Sequence, residues 1–250
     1  MENSIHPTAI IEGTVSMGRG NVIGPYAILR GHITMGDFNR IEGHAVLENQ
    51  VILGDHNTIY PFVSIGAIGE MGSKGDHLRE EGAVEIGLHV TVREYVCIHA
   101  PVHTARTQIA DHAYLMNKSY VAHDGYVGAG VTLHAGVLLG GQVHLEEGVT
   151  VGMGATIHQR CRIGAYSMIG MQTPITRDIL PFAKVAGSPA RVLGFNRIAA
   201  SKLTMDDLWM HEMDVYFATG MSTESTSNPM RQRVQSFLAK YPGSLVKLKG

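Results

Sequence analysis

Residues 127–157 read VGAGVTLHAGVLLGGQVHLEEGVTVGMGATI, and an aliphatic residue returns at every sixth position. These aliphatic residues are Val127, Leu133, Leu139, Leu145, Val151 and Ile157. A period of six fits neither an α-helix, which repeats every ~3.6 residues, nor the unbroken alternation of a single long strand. Short strands joined by turns and stacked coil on coil do produce such a period, so this stretch predicts a parallel β-helix.

The same period runs outward from this stretch over most of the chain. It continues through residues 5–65, 86–98 and 109–175, and all 26 of its aliphatic positions hold Ile, Leu, Val or Met. Glycine directly follows 11 of them, where we expect a corner with unusual backbone angles and a close backbone approach. At three hexads per triangular coil, the repeat predicts nearly nine coils spaced about 4.8 Å apart.

Two interruptions break the period, which ends after residue 175. Residues 66–85 predict an extruded loop, whose charged and titratable residues include Lys74, Asp76, His77 and Arg79. Residues 100–108, APVHTARTQ, contain a slip of phase and predict a bulge. The chain therefore divides into a β-helical domain, residues 1–190 with the loop insertion, and a C-terminal helical region, residues 191–250.

The tail has the pattern of two helices. Residues 203–219 predict one helix, with Thr204 and Asp207 as a capping pair. Residues 228–240 begin with Asn-Pro, which is typical of an N-cap followed by the first helical residue, and predict a final helix. We expect these helices to pack on the prism or on a neighbouring subunit.

Composition excludes several classes of function. The 250 residues carry 20 Lys and Arg against 22 Asp and Glu, a formal net charge of −2, which argues against nucleic-acid and anionic-membrane partners. No apolar run reaches the roughly 20 residues of a membrane span, and the first residues do not have the pattern of a secretion signal. The two cysteines, Cys97 and Cys161, fit neither a metal nor a disulfide framework. We therefore expect a cytoplasmic protein without a membrane span.

One of the 14 histidines departs from the repeat. Five others share the slot three residues after an aliphatic position, which predicts a column on an exposed turn: His32, His44, His56, His89 and His112. His123 alone occupies the slot two residues after an aliphatic position, and Asp124 follows it. A carboxylate fixes the tautomer of an imidazole and raises its basicity, so His123 is a candidate general base if the turn brings Asp124 to its ring.

Several runs resemble the UDP-N-acetylglucosamine acyltransferases of lipid A biosynthesis. They are VAHDGYVG at 121–128, GATIHQRCRIGAYSMIG at 154–170, AGSPARVLGFN at 186–196 and IHPTAIIEGTVSMG at 5–18. The resemblance extends to about residue 202 and implies a left-handed β-helix that forms a homotrimer with active sites between adjacent prisms. It also implies acyl transfer from acyl carrier protein to a sugar hydroxyl, with no metal or redox cofactor.

Residue by residue, the resemblance assigns His123 as the general base, Asp124 as its orienting partner and the Gly141 N–H as the oxyanion donor. On the substrate side it points to His158, Gln159, Met171 and Asn196. Met171 stands where the family carries Gly to admit long acyl chains and bulkier residues to stop shorter ones, so the resemblance implies a shorter acyl chain. Core packing is the alternative role for this side chain.

The chain departs from the family at several acceptor-binding positions. Where the family has His, His, Glu and Arg, this chain has, in the same order, Tyr120, Gln142, Ile198 and Lys202. Arg79 or Lys74 is the candidate replacement for a lysine of the family's loop. The substrate-binding candidates therefore include Tyr120, Gln142, Lys202 and Arg79. We expect a medium-length, 3-hydroxylated acyl group to be transferred to a hydroxyl or amine of a sugar nucleotide similar to UDP-N-acetylglucosamine.

Three other functions fit the same repeat. Many hexapeptide-repeat proteins acetylate sugars with acetyl-CoA, and donor choice separates them from enzymes that use acyl carrier protein. A carbonic anhydrase built on the same prism would bind zinc through His99, His103 and His112. A sugar-nucleotide-binding protein without catalysis is favoured by the changes at Tyr120, Gln142 and Ile198. An acidic carrier protein needs a basic surface, for which the candidates are Arg160, Arg162, Arg177 and Arg191, with ordinary solvated charge as the alternative.

Overall fold

A computed structural model describes residues 1–70, 81–203, 206–219, 228–242 and 245–246. The predicted features outside these residues are Lys74, Asp76, His77 and Arg79 of the loop and Thr204 of the capping pair. Within the described residues, short parallel strands follow one another around a three-sided prism and form two sheets.

The first sheet forms one face of the prism. Its strands are β1 (Ser4–Ile5), β3 (Val22–Ile23), β5 (Arg40–Ile41), β7 (Thr58–Ile59), β10 (Thr91–Val92), β13 (Tyr114–Leu115), β16 (Thr132–Leu133), β19 (Thr150–Val151), β22 (Met168–Ile169), β24 (Ala183–Ala186) and β25 (Arg191–Phe195). Neighbouring strands pair in parallel, except that β25 turns back and pairs antiparallel with β24. In the described part of the chain ten coils are stacked on this face, because the sheet continues for one coil beyond the hexad repeat.

The second sheet covers the other two faces. Its strands are β2 (Ile10–Met17), β4 (Ile28–Met35), β6 (Val46–Leu53), β8 (Ser64–Ala67), β9 (Ala83–Ile86), β11 (Cys97–His99), β12 (Arg106–Ile109), β14 (Tyr120–Val121), β15 (Tyr126–Val127), β17 (Leu138–Leu139), β18 (His144–Leu145), β20 (Thr156–Ile157), β21 (Arg162–Ile163) and β23 (Pro174–Ile175). The long strands β2, β4 and β6 each pass through a corner, where Gly13, Gly31 and Asn49 have positive φ. Above β6 the sheet divides into a second face (β8, β11, β14, β17, β20 and β23) and a third face (β9, β12, β15, β18 and β21).

The aliphatic positions of the repeat form the core. Partner residues on neighbouring regular coils are 18 residues apart, as in Ile5, Ile23 and Ile41, so one aliphatic column runs along each face. Of the 26 predicted core positions, 23 are buried. The other three, Ile5, Ile11 and Met17, belong to the first coil, which has no described coil beneath it. The predicted fold class, a left-handed parallel β-helix of hexapeptide repeats with a C-terminal helical region, is confirmed.

The glycines after the aliphatic positions allow coils to approach closely. A Cβ added to Gly128 would lie only 2.7 Å from the carbonyl carbon of Glu146, although Gly128 has an ordinary backbone conformation. The expectation of unusual backbone angles is wrong for most of these glycines. The positive φ values occur instead two positions later, as at His56 and His89. Gly66 is an exception, with a φ of 88°.

The exposed rings of His56, His89 and His112 stack 4.9–5.1 Å apart in one column, as predicted. His44 stacks instead between Tyr26 and Phe62, and His32 lies on β4, so a single column of all five histidines is wrong.

The tail continues from β25 into three helices: α1 (Arg197–Lys202), α2 (Asp207–Thr219) and α3 (Pro229–Lys240). Asn228 caps α3 as predicted, because its Oδ1 accepts the N–H of Met230 at 3.0 Å. The second helix begins at Asp207 rather than at residue 203. The sequence does not predict α1, since six residues are too few to show a helical period.

Helix α3 lies against the third face of the prism. It buries Val234 and Phe237, and Arg233 forms an ion pair with Glu147 of the prism. Beyond α3, Tyr241 lies under the guanidinium of Arg162, 4.8 Å from the ring centroid. None of the described helices is long and apolar enough to cross a membrane.

Candidate active site

His123 and Asp124 lie at the corner between β14 on the second face and β15 on the third face. Asp124 has a φ of 60°, a left-handed conformation that turns its carboxylate back toward the preceding side chain. As a result, Asp124 Oδ2 lies 2.7 Å from His123 Nδ1. The Asp124 side chain is fully buried and that of His123 is 13% exposed, so the imidazole alone of the two reaches the surface. The turn thus meets the condition on which the sequence interpretation of the pair depended.

The carboxylate of Asp124 is held by the second interruption of the repeat. It accepts the backbone N–H groups of Val102, His103 and Thr104 at 2.7–3.2 Å, and the Thr104 hydroxyl at 2.7 Å. Burial raises the pKa of Asp124, but the hydrogen bonds from His123, Thr104 and His103 outweigh it and leave the pKa below its ordinary value. The carboxylate is therefore ionised and fixed in place at neutral pH.

Just before this interruption the pairing of β11 with β8 shifts register between Ile98 and His99, and the extra residue is Gly66 of β8 rather than a residue of the predicted bulge at 100–108. Thr107, on β12, accepts the backbone N–H of Asp124 at 2.9 Å. No pattern in the sequence predicts these contacts, because they join residues about 20 positions apart through irregular backbone.

Gly141 lies at the same corner one coil further along. A Cβ added there would lie 2.6 Å from His123 Cε1 and 2.7 Å from His123 Nε2, so only glycine leaves room for the ring. On either side of it, the N–H groups of Gly140 and Gln142 are bonded to the carbonyls of Ile157 and His123. The Gly141 N–H itself has no acceptor in the described part of the chain. The structure therefore brings an imidazole, its carboxylate partner and an available backbone donor together.

A groove of about 360 Å³ runs along the second face beside this corner. Its walls are formed by Tyr120, Leu138, Leu139, Gly140, Thr156, Ile157, His158, Pro174, Ile175 and Thr176. Most of the lining is aliphatic, and two predicted substrate-binding residues, Tyr120 and His158, line it. The backbone nitrogen of Gln159 lies 2.7 Å from where a Cβ on Gly140 would be, which places the predicted His-Gln pair one coil above the glycines.

The Tyr120 hydroxyl lies among polar groups that the sequence did not connect. It donates to Glu70 Oε2 at 3.3 Å and lies 3.4 Å from Nδ1 of the buried His99. Burial raises the pKa of Tyr120, and the nearby charge of Glu70 raises it further, so the phenol stays protonated. A Cβ added to Gly69 would lie 3.0 Å from His123 Cβ. The start of the loop insertion therefore packs directly against the site.

The remaining predicted site residues lie outside the dyad. Gln142 Oε1 accepts Nε of Arg160 at 2.9 Å on the outer edge of the corner. Met171 lies at a different corner, before β23, and is 72% exposed, so within a single chain its side chain is not packed in the core.

Asn196 is buried: its Oδ1 caps α1 at Ala199, and its Nδ2 donates to the carbonyl of Tyr166. Lys202 is exposed in the last turn of α1, and Arg79 lies outside the described residues.

The structure does not assemble the zinc site of the carbonic anhydrase alternative. His112 belongs to the exposed column, stacked 5.1 Å from His89. Among the described residues, the group of three or more His, Cys, Asp or Glu with ligand atoms close together is His103, His123 and Asp124. The proposed trio of His99, His103 and His112 is therefore wrong.

The chain is similar to known proteins in sequence and in fold, although no protein-family model matches it. The acyl-[acyl-carrier-protein]–UDP-N-acetylglucosamine O-acyltransferase of Alkalilimnicola ehrlichii is 36% identical over 132 residues, which are 52% of this chain and 51% of that protein. The structure of the UDP-N-acetylglucosamine O-acyltransferase (LpxA) of Moraxella catarrhalis is 26% identical, with a TM-score of 0.82 over 97% of this chain and 99% of its own. LpxA of Acinetobacter baumannii is 29% identical, with a TM-score of 0.82 over 95% of this chain and 92% of its own.

The similarity in sequence is partial and the similarity in fold is nearly complete. The chain spans about half the length of the curated relatives it matches. The solved structures cover more than nine-tenths of it. The resemblance that the sequence runs indicated is confirmed: the chain is similar to these acyltransferases in sequence over about half its length and in fold over nearly all of it.

Proposed function

We propose that this chain transfers an acyl group from the thioester of an acyl carrier protein to a hydroxyl of a sugar nucleotide similar to UDP-N-acetylglucosamine. The observation that carries the proposal is the contact of the His123–Asp124 pair with Gly141 at one corner. The names of the relatives described above supply the classes of donor and acceptor. An amine acceptor in place of the hydroxyl would use the same groups.

The chemistry follows from the two nitrogens of the imidazole. With Nδ1–H donating to Asp124, the lone pair of His123 Nε2 takes the proton of the acceptor hydroxyl as its oxygen attacks the thioester carbonyl. Asp124 stabilises the imidazolium that forms. The Gly141 N–H donates to the oxyanion of the tetrahedral intermediate, a contribution of the kind worth about 2.7–4 kcal/mol. When the C–S bond breaks, the imidazolium returns the proton to the leaving thiolate. The thioester is already activated, so the proposed step needs no metal or redox cofactor.

The groove on the second face is our proposed site for the acyl chain. Its aliphatic lining suits a hydrocarbon, and Tyr120 and His158 are polar groups in its wall that suit a 3-hydroxyl or the sugar. The substrate-binding roles of Gln142, Gln159, Asn196, Lys202 and Arg79 stay predictions. For Asn196 the capping of α1 is a second role, since both polar atoms of its side chain are already bonded.

We further propose that three copies of the chain assemble with their sites between adjacent prisms. Met153 and Met171 lie on neighbouring coils, and Met168 lies on β22 just before Met171; these side chains are 52%, 72% and 41% exposed. Exposed apolar side chains that lie together in this way are typical of a protein interface.

The binding of the carrier protein by Arg160, Arg162, Arg177 and Arg191 stays a prediction. In the structure Arg160 contacts Gln142, and Arg162 contacts the ring of Tyr241.

The proposal is tested by measuring turnover of UDP-N-acetylglucosamine with a series of 3-hydroxyacyl carrier proteins, and with acetyl-CoA in parallel. We expect the carrier-protein donors to be used and the His123→Gln variant to lose about 10²–10⁴-fold in kcat. His112→Gln is the matched control, because His112 is an exposed histidine of the ring column, and it should keep the wild-type rate.

Three results would contradict the proposal. Turnover with acetyl-CoA alone would favour the acetyltransferase. No turnover of any sugar nucleotide, with acyl donors still bound, would favour the binding protein without catalysis. A His123→Gln variant as active as wild type would remove the assignment of the base.

A further inference from the structure

The two oxygens of the Asp124 carboxylate have different partners. Oδ1 accepts the hydroxyl and the N–H of Thr104, both at 2.7 Å, and the N–H groups of Val102 at 3.2 Å and His103 at 3.0 Å. Oδ2 accepts the N–H of His103 at 3.0 Å and lies 2.7 Å from Nδ1 of His123. Thr104 thus supplies the two shortest bonds to Oδ1, while the imidazole contacts Oδ2.

The orientation of the Asp124 carboxylate depends on bonds of this kind. The torsion that turns an aspartate carboxylate is broad and roughly two-fold, so the side chain does not fix its own plane. Any rotation short of the half-turn that exchanges the two oxygens would carry Oδ1 away from Thr104 and break two short bonds. Hydrogen bonds to an ionised oxygen are among the strong ones in proteins, so this rotation is costly. Thr104 therefore holds the carboxylate with Oδ2 directed at His123.

The Thr104 hydroxyl has a second acceptor within reach. The carbonyl oxygen of Arg106 lies 2.8 Å from the same Oγ1, and a hydroxyl has one proton to donate. The lowered pKa of Asp124 keeps its carboxylate ionised at neutral pH, and a charged acceptor forms the stronger hydrogen bond. Thr104 is also an exposed residue, so core packing does not account for a threonine at this position.

We propose that Thr104 is a positioning residue, whose hydroxyl orients Asp124 so that the neutral ring of His123 carries its proton on Nδ1. The proposal rests on the proposed function, in which Nε2 of His123 is the base. The hydrogen bond made by one ring nitrogen decides which of the two nitrogens carries the proton. With the carboxylate turned away, the proton is shared between them. A ring protonated at Nε2 has no lone pair there to accept the proton of the sugar hydroxyl.

The effect on the reaction is tested by the turnover of Thr104→Val, which loses the hydroxyl and keeps the backbone N–H and the branched shape. We expect kcat to fall at least about tenfold with little change in KM, because the hydroxyl acts on the base and not on substrate binding. Thr104→Ser keeps a hydroxyl and should retain the wild-type rate. Thr14→Val is the matched control, since Thr14 is an exposed threonine of the first coil, and it should also retain that rate.

The orientation is tested without turnover, by NMR of the full chain with isotope-labelled histidine nitrogens. The ring signals of His123 are assigned as those missing from His123→Gln. At a pH where this ring is neutral, we expect the proton on Nδ1 in wild type, Thr104→Ser and Thr14→Val. Thr104→Val should give a mixture of the two tautomers. If Thr104→Val does not fold, Thr104→Ala removes the same hydroxyl and takes its place.

Several results would overturn the role of the hydroxyl. One is a wild-type kcat in Thr104→Val, and another is a neutral His123 ring with the same tautomer in this variant as in wild type. An equal loss of kcat in Thr104→Ser would assign the effect to the shape of the turn instead. A wild-type chain without turnover contradicts the proposed function, and the tautomers then still decide whether Thr104 orients the pair.

Discussion

At the level of single residues, the His123–Asp124 contact depends on backbone geometry. A φ of 60° is costly for most side chains and is tolerated best by Asn, Asp and Gly. The slot that Asp124 occupies has this conformation in many coils, where it holds residues such as His89 and Gln142. An acidic residue in that slot, next to a histidine, turns an ordinary corner of the repeat into a hydrogen-bonded His-Asp pair.

Gly141→Ala provides a test of the space beside the base. The added methyl group would lie 2.6–2.7 Å from two ring atoms of His123 and would push the imidazole aside. Because a displacement of about 1 Å costs of the order of 10²-fold in rate, we expect kcat to fall by about that factor with little change in Tm. Gly128→Ala is the control, since its methyl group would meet backbone of the next coil and lower Tm without touching the site. Equal kcat in wild type and Gly141→Ala would falsify the oxyanion geometry.

Met171→Gly provides a test of the implied limit on chain length. The side chain is 72% exposed, so its removal should leave the stability of the chain within about 0.5 kcal/mol of wild type. If the side chain stops the acyl group, the preferred donor shifts to longer acyl carrier proteins, as measured by kcat/KM across a series. Met153→Gly removes a similar exposed methionine one coil away and should leave the preference unchanged. The same optimum in all three proteins would show that Met171 does not set the length.

At the level of elements, the packing of α3 on the third face buries a titratable group. His144, on β18, stacks on Tyr126 at 4.4 Å and lies 6.0 Å from Tyr241. Burial, together with the positive charges of Lys240 and Arg162, lowers the pKa of His144 from 6.5 to about 4. Glu146 lines the same pocket between the prism and α3. Because the pKa of His144 is lowered, α3 packs against a neutral imidazole at pH 7.

The stability of this docking should depend on pH. The unfolded chain protonates His144 near pH 6.5, whereas the folded chain does so near pH 4, so stability is lost as the pH falls through this window. Between pH 7 and pH 5 we expect the free energy of unfolding to drop by up to about 2 kcal/mol from this group. His144→Phe keeps a stacking ring without a charge, and should show that much less pH dependence in denaturant titrations. An unchanged difference between pH 7 and pH 5 in the variant would assign the effect to other groups.

The sequence predicts regular elements well and irregular contacts poorly. The hexad positions identify the buried residues because each coil repeats the same environment, and they fail only at the first coil, as with Ile5 and Ile11. Asn228-Pro229 locates the start of α3 because capping is local. The bonds of Thr104 to Asp124 and of Glu70 to Tyr120 join distant positions across interruptions, where no period relates one residue to the other.

At the level of the whole molecule, the exposed methionines on the upper coils predict self-association. We expect light scattering after size exclusion to give three times the chain mass of 27.0 kDa. Met168→Glu places a charge within this apolar area and should lower the mass toward that of one chain. Ile52→Glu is the matched control, because Ile52 is similarly exposed, at 39%, on the third face. A mass of one chain for the wild type, or a trimer in both variants, would contradict the predicted interface.

The spacing of partners in the lower coils has a consequence for how the length of this chain can change. Val22 pairs with Ser4 and with Arg40, each 18 residues away. Deleting residues 22–39 would bring Arg40 onto Ser4 with every inward side chain still facing inward, and would leave the corner of His123 intact. A deletion within these regular coils whose length is not a multiple of six would put the next aliphatic residues out of phase with the coil below, unless an irregular segment absorbed the difference, as the two interruptions of the repeat do. Shortening or lengthening of the regular part of the prism is therefore expected in whole coils, with the corner of His123 and Asp124 carried along unchanged.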